Sequence, residues 1–128
     1  MGFKQLVLAL SVMILVLIGL FVWIEMDAQR EIEMMHYEDV EMSLVQDGTY
    51  EAEVITDLVS AKVQVIVEDH EIIDLIILGH TYGLGYNAET IRYKIIEQNT
   101  YEVDTISGVT LSSEAIKSAT SLALKKGY

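Results

Sequence analysis

The chain has 128 residues with no cysteine and no proline, and its formal net charge is −12. This length allows one small domain, and the lack of cysteine excludes disulfides, thiol chemistry and cysteine-ligated metal or iron–sulfur centres. Beyond residue 24 there are 20 acidic residues against seven basic ones, a net charge of −13. A surface of this sign repels nucleic-acid phosphates and so excludes nucleic-acid binding. Acidity of this kind usually serves solubility, and it also suits a cationic redox partner.

An uncharged run of nineteen residues, LVLALSVMILVLIGLFVWI, occupies positions 6–24. A helix needs roughly 20 apolar residues to cross a bilayer, and no small-x-small cleavage site precedes Gln29. The run therefore predicts an uncleaved anchor in membrane lipid rather than a removed signal peptide, with Trp23 at the interface. Lys4 lies on the short side, so for this single-pass chain we expect residues 1–5 in the cytoplasm and the C-terminal domain outside the cell membrane.

Residues 25–46 form a separate segment, EMDAQREIEMMHYEDVEMSLVQ. It contains no Gly or Pro, and its apolar residues recur at mixed helical spacings, although positions 36–41 are poorly patterned. We expect a stalk or linker here, helical where it continues the membrane helix. The pair DG at 47–48 follows this segment. The domain that begins there covers residues 47–128.

Three runs with strand character open this domain: TYEAEVITD at 49–57, SAKVQVIVE at 60–68 and EIIDLIILG at 71–79. The first two alternate apolar and polar residues, as half-buried strands do. The third is more uniformly apolar, which is typical of a strand with a covered face. Asp69 and His70 lie between the second and third runs and predict a tight turn.

Two helices follow a glycine-rich loop, GHTYGLGYN at 79–87. The stretch 88–99 places Ala88, Ile91 and Ile95 on one face, with Asn87 able to cap it. The last helix is expected to begin near Ser112 and to reach Lys125, with Gly127 just past its end. The predicted fold is α+β, with a small antiparallel β-sheet packed with two helices and preceded by the transmembrane helix.

The decapeptide DTISGVTLSS at 104–113 precedes this last helix. The first N–H groups of a helix lack partners and carry partial positive charge, and Gly108 allows the backbone to approach a ligand closely. Ser107 and Thr110 add hydroxyls at the same place. The pattern suits a phosphate, although ordinary helix capping uses the same residue types.

The decapeptide resembles the flavinylation motif of the FMN-binding domain family, Asp-x-x-Ser-Gly-Ala-Thr followed by a short Ser/Thr pair. This family includes the flavinylated domain of the G-type subunit of Rnf complexes, that of the C-type subunit of Na⁺-translocating NADH:quinone reductase, and domains of extracellular flavoproteins. The resemblance extends to four other parts of the chain: DGTYEAEV, the VQVIVEDHEIIDLIIL hairpin, GHTYGLG and the helix that follows. It therefore covers residues 47–127.

The resemblance implies FMN as cofactor, held covalently through a phosphoester to the hydroxyl of Thr110. A flavin transferase would make the bond, with FAD as donor and a magnesium ion. Asp104 belongs to the pattern that this transferase reads, and Ser107 and Gly108 shape the loop. The implied cofactor-binding residues are Thr110, Ser107, Gly108, Asp104, Val109, Leu111, Ser112, His80, Gly83 and Gly85.

Several alternatives stay open from the sequence. Val109 stands where the family motif has Ala and would crowd a tight loop, which leaves room for reversible FMN binding or for a degenerate domain that serves as an anchored binding or scaffolding module. His80 could hydrogen-bond the flavin or be a satisfied loop histidine. Tyr82 and Tyr86 could stack on the ring. The three histidines do not have metal-site spacing, and no metal site or catalytic residue is predicted. We expect an electron carrier rather than a stand-alone catalyst.

Overall fold

The computed structural model describes residues 2–81 and 86–128. It divides into two units, Met1–Arg30 and Glu31–Tyr128. In chain order, the helices and strands are α1 (Phe3–Met34), β1 (Gly48–Ile55), β2 (Ser60–Glu68), β3 (Glu71–Thr81), α2 (Ile91–Gln98) and α3 (Thr110–Lys125). Short 3-10 helices occupy Met42–Leu44 and Tyr86–Thr90.

The apolar run forms most of α1, and its side chains are exposed in the first unit. Among the described helices, α1 is the one long and apolar enough to cross a membrane. Exposed Leu, Ile and Val side chains over this length are stable only in an apolar surrounding. The helix therefore supports membrane anchoring at the N-terminal end.

The helical continuation expected for residues 25–46 ends at Met34. The chain then runs without regular structure to residue 41, and this segment lies along α3. Ser118 Oγ donates to the carbonyl oxygen of His36, Ser121 Oγ accepts the N–H of Glu38 at 3.1 Å, and Lys125 Nζ donates to the carbonyl oxygen of Asp39 at 3.1 Å. Three backbone groups of residues 36–39 are thus bonded to α3 side chains instead of within a helix of their own.

The three strands form one antiparallel sheet in the order β1-β2-β3, as predicted. β2 has the bounds expected from its alternation, and β3 extends two residues past 79 to include His80. Asp69 and His70 have φ values of 51° and 62°. Two consecutive residues with positive φ between paired strands form a type I′ turn, so the predicted tight turn is confirmed.

One face of the sheet is buried under α3. β2 contributes Ala61, Val63, Val65 and Val67, and α3 contributes Ala115, Ile116, Ala119 and Ala123 to the same core. α2 packs against β3 and buries Ile91 and Ile95 completely, as its apolar face predicted. The α+β class with two helices on an antiparallel sheet is confirmed.

Two helix ends differ from the sequence-based expectations. The N-cap residue of α2 is Thr90 and it makes no side-chain capping bond, so the cap predicted at Asn87 is wrong. The 3-10 helix Tyr86–Thr90 leads directly into α2, and within it Thr90 Oγ1 donates to the carbonyl oxygen of Asn87 at 2.7 Å. α3 begins at Thr110, two residues before Ser112.

Candidate functional site

Residues 106–109 form a tight turn directly before α3. The N–H of Val109 donates to the carbonyl oxygen of Ile106 at 3.1 Å, and Gly108 has a φ of 82° while Ser107 does not have a positive φ. These are the properties of a type II turn, whose third residue must adopt positive φ and is therefore usually Gly. Apart from its two chain neighbours, no described residue has an atom within 4 Å of the place where a Cβ on Gly108 would be. The turn thus presents open backbone surface.

Ser113 fastens this turn to the helix. Its side chain is fully buried, and its Oγ accepts the N–H of Ile106 at 3.2 Å and donates to the carbonyl oxygen of Val109 at 2.8 Å. The same carbonyl accepts the N–H of Ser113 at 3.0 Å. The sequence pattern did not predict this role, although Ser in the first turn of a helix commonly bonds to the backbone preceding it.

Thr110 is the first residue of α3, and it is exposed. The N–H groups of Thr110, Leu111 and Ser112 have no acceptor inside a helix that begins there, and the N-cap residue Val109 makes no side-chain capping bond. These amides and the helix dipole concentrate partial positive charge at this end. A hydroxyl and an anion-favouring backbone therefore meet at one exposed point.

The other residues of the decapeptide separate into outward and inward groups. Asp104 and Ser107 are exposed, whereas Leu111 is half-buried against the core and Ser112 is buried. Val109 is also half-buried against the core. Its side chain therefore packs toward the core.

His80 lies near the end of β3, opposite Ala61 of β2, and is half-buried. Burial lowers the pKa of His80 below its usual range, and the negative charge of Glu89 partly opposes this. Glu89 belongs to the 3-10 helix Tyr86–Thr90, which packs against α3. Predicted site residues Gly83 and Gly85 lie outside the described residues, as does Tyr82, and the side chain of Tyr86 is not described.

A network of polar and aromatic side chains lies one helical turn beyond Thr110. The hydroxyl of Tyr37 donates to the carboxylate of Glu114, and Lys117 Nζ lies 3.3 Å from that carboxylate. The ring of Tyr37 stacks on Tyr101 with a centroid distance of 6.1 Å. Burial, followed by the bond to Glu114, raises the pKa of Tyr37 well above its usual range. The sequence carried no signal for this contact, because Tyr37 and Glu114 are far apart along the chain.

The family of this chain follows from comparison with known families. The family described as FMN-binding domain matches residues 59–125, just over half of the chain. The chain belongs to the FMN-binding domain family. The match indicates FMN as the cofactor of this domain. It covers β2, β3, α2, the whole decapeptide and α3, and it begins after β1, so the similarity noted at 47–54 lies outside the matched range. No curated protein matches the chain.

The described residues of this FMN-binding domain fit a phosphorylated cofactor. The hydroxyl of exposed Thr110, the three amides without an acceptor in the helix and the open surface at Gly108 are the groups that a phosphate ester needs at a helix start. Glu114, the first acidic residue of α3, is bonded to Tyr37 and Lys117. The geometry is therefore compatible with a phosphate held at the start of α3.

Proposed function

We propose that this protein carries FMN covalently on Thr110 and relays electrons at the outer face of the cell membrane, as a carrier rather than a stand-alone catalyst. The single observation that supports this most is the position of exposed Thr110 at the first residue of α3, beside amides that have no acceptor within the helix. The family membership and the N-terminal apolar helix support the cofactor and the anchoring.

Each residue of the decapeptide has a proposed role. During maturation by a flavin transferase, the Thr110 hydroxyl loses its proton and its oxygen replaces AMP on the flavin-bearing phosphate of FAD, so that one P–O bond forms and one breaks. The amides of residues 110–112 and the helix dipole then stabilise the negative phosphodiester. Gly108 and Ser107 leave space for the phosphate, and Asp104 is exposed where a transferase can read it.

His80 is proposed to act on the ring side of the cofactor, with Gly83 and Gly85. Because burial lowers its pKa, His80 is neutral near neutral pH and can serve as both a hydrogen-bond donor and an acceptor. FMN, when bound, accepts and donates electrons, and the protein supplies its attachment, orientation and electrostatic surroundings.

The test is production of the full chain together with a flavin transferase, followed by intact-mass measurement and fluorescence of the denatured protein on a gel. The wild-type chain should gain the mass of one FMN less one water and fluoresce at its own band. Thr110→Ala should lose both signals and Thr110→Ser should retain them, because Ser keeps the hydroxyl. Ser107→Ala is the matched control, an exposed hydroxyl three residues away, and should weaken loading less.

Different results identify the alternatives. Flavin that migrates at the gel front would mean reversible FMN binding. A wild-type chain without any flavin would overturn the proposal and leave an anchored binding or scaffolding module. The orientation is tested separately in intact cells with a membrane-impermeant amine reagent, which should label Lys62 and Lys126, both exposed, if the domain lies outside. Protection of both lysines would refute the outward orientation.

A further inference from the structure

A groove of about 450 Å³ lies in the second unit, away from the decapeptide and from His80. The last turn of α1 and the residues after it form one wall, the end of β1 and the turn that follows form another, and α3 closes the third side. We call it the α1–β1 groove. Its apolar lining consists of Met34, Met35, Val54, Ile55 and Leu122.

Two long apolar side chains of this groove are open to solvent. Met34 is 78% exposed and Ile55 is 73% exposed, and Leu58, in the turn after β1, is 46% exposed. Exposed apolar side chains are common singly, but side chains grouped around a concavity are typical of interaction sites. The groove therefore offers an aliphatic surface to a partner.

The neutral polar groups of the groove are already bonded within the domain. Thr56 Oγ1 donates to Glu31 at 2.5 Å, and the N–H of Leu58 donates to the same carboxylate at 3.0 Å. Ser118 Oγ donates to the carbonyl oxygen of His36. A ligand recognised mainly by hydrogen bonds, such as a sugar or a nucleobase, is thus disfavoured here.

The charge of the groove indicates which kind of partner it can bind. Glu31 and Asp57 line it, and no Lys or Arg is among its described lining residues. His36, its one basic side chain, is bonded to Glu38 at 2.9 Å. A second copy of this acidic chain or an anionic lipid surface would be repelled, whereas a cationic protein surface would be attracted.

We propose that the α1–β1 groove docks a basic protein partner that inserts an aliphatic side chain between Met34 and Ile55 and places Lys or Arg beside Glu31 and Asp57. The assignment of this partner as the one that exchanges electrons with the domain rests on the proposed function. Ser118 and Leu122 line the groove eight and twelve residues after Thr110 in α3, about 12 and 18 Å along the helix axis.

The test uses the full chain in nanodiscs of uncharged lipid and two synthetic peptides of equal length. One peptide has a leucine flanked by lysines, and the other has glutamates in place of the lysines. The lysine peptide should bind in calorimetry, with an affinity that falls as salt rises, and the glutamate peptide should not. Met34→Ser combined with Ile55→Ser should weaken binding about tenfold or more, since each loses an apolar contact.

Matched controls separate the groove from the rest of the surface. Ile73→Ser removes an apolar side chain on β3 that is 49% exposed and outside the groove, and it should change the affinity less than about twofold, as expected for a non-contacting site. Asp57→Asn should weaken binding and flatten its salt dependence, whereas Glu53→Gln, an exposed β1 residue outside the groove, should not. Thermal unfolding of each variant checks that the fold is intact.

Equal binding of both peptides would overturn the docking proposal, and so would equal affinities of the groove and control variants. The proposal would also be overturned if the peptides did not bind and the groove substitutions instead changed the oligomeric state or the binding to anionic vesicles. Thr110→Ala separates this proposal from the proposed function, because it removes the flavin ester and should bind the lysine peptide like the wild type. Peptide binding by a chain that never takes up flavin would refute the proposed function alone.

Discussion

Ser113→Ala removes the hydroxyl that joins the 106–109 turn to α3. Two hydrogen bonds disappear, but their consequences differ. The carbonyl oxygen of Val109 still accepts the N–H of Ser113 at 3.0 Å, so this acceptor stays satisfied. The N–H of Ile106 loses its acceptor, Ser113 Oγ.

An unsatisfied buried donor costs roughly 1–3 kcal/mol. Ile106 is half-buried, and water reaches it in part, so we expect about 1–2 kcal/mol of lost stability. For a domain of this size, each kcal/mol lowers Tm by roughly 4–8 °C. Looser attachment of the turn should also reduce the fraction of chains that carry flavin, because Thr110 begins the helix that this bond fixes.

The assay is thermal unfolding of the full chain in uncharged detergent, followed by near-ultraviolet circular dichroism of the tyrosines, together with the flavin-loaded fraction from intact mass. Thr120→Val is the matched control. Thr120 is equally buried, and its hydroxyl donates to the carbonyl oxygen of Ile116 at 2.7 Å, the same kind of bond one turn back. Its removal leaves no donor without an acceptor, so the loss should stay below about 1 kcal/mol and loading should be normal.

Equal Tm losses in Ser113→Ala and Thr120→Val would refute the reasoning, since they would mean that the bond to Ile106 adds nothing. Normal flavin loading of Ser113→Ala despite a lower Tm would refute the link between this bond and the presentation of Thr110.

Two further predictions concern other parts of the domain. Gly127→Ala places a Cβ 2.7 Å from Val45 Cγ1 and 2.8 Å from Tyr50 Cζ, so we expect a loss of about 1–3 kcal/mol in urea unfolding, and an unchanged midpoint would contradict this packing. Tyr37→Phe should make stability less sensitive to alkaline pH. Burial raises the pKa of Tyr37, so above about pH 10 the unfolded chain binds fewer protons than the native chain and stability falls as pH rises. The variant should remove up to about 1.4 kcal/mol per pH unit of that slope between roughly pH 10 and 11, and equal slopes in urea unfolding of both proteins would show that Tyr37 ionises normally.

Local patterns determined most of the second unit's elements. Alternation of apolar and polar residues predicted β2 with the bounds that it has, because period-two burial is a property of one strand and the face beneath it. The pair Asp69–His70 predicted its turn, and Ala88, Ile91 and Ile95 predicted a buried helical face. The decapeptide likewise predicted a helix start, near Ser112, and α3 begins two residues earlier at Thr110, since a helix start is formed within a few residues.

The sequence alone could not establish how these elements use their polar residues. Ser118, Ser121 and Lys125 recur at helical spacing on α3, yet nothing in their own neighbourhood shows that they bind residues 36–39. The end of α1 follows from the same contacts, because residues after Met34 find hydrogen-bond partners on α3. No Gly or Pro marks that boundary in the sequence.

The sequence by itself determined the long apolar helix at residues 6–24, the strand and helix order and the hydroxyl-rich motif before α3, because each depends on the composition or spacing of neighbouring residues. Only the tertiary structure decided that Val109 packs inward, that Ser113 holds the turn and that Met34, Ile55 and Leu122 enclose one groove. These features arise where segments distant along the chain meet, and the free energy of such contacts depends on which surfaces the completed fold brings together.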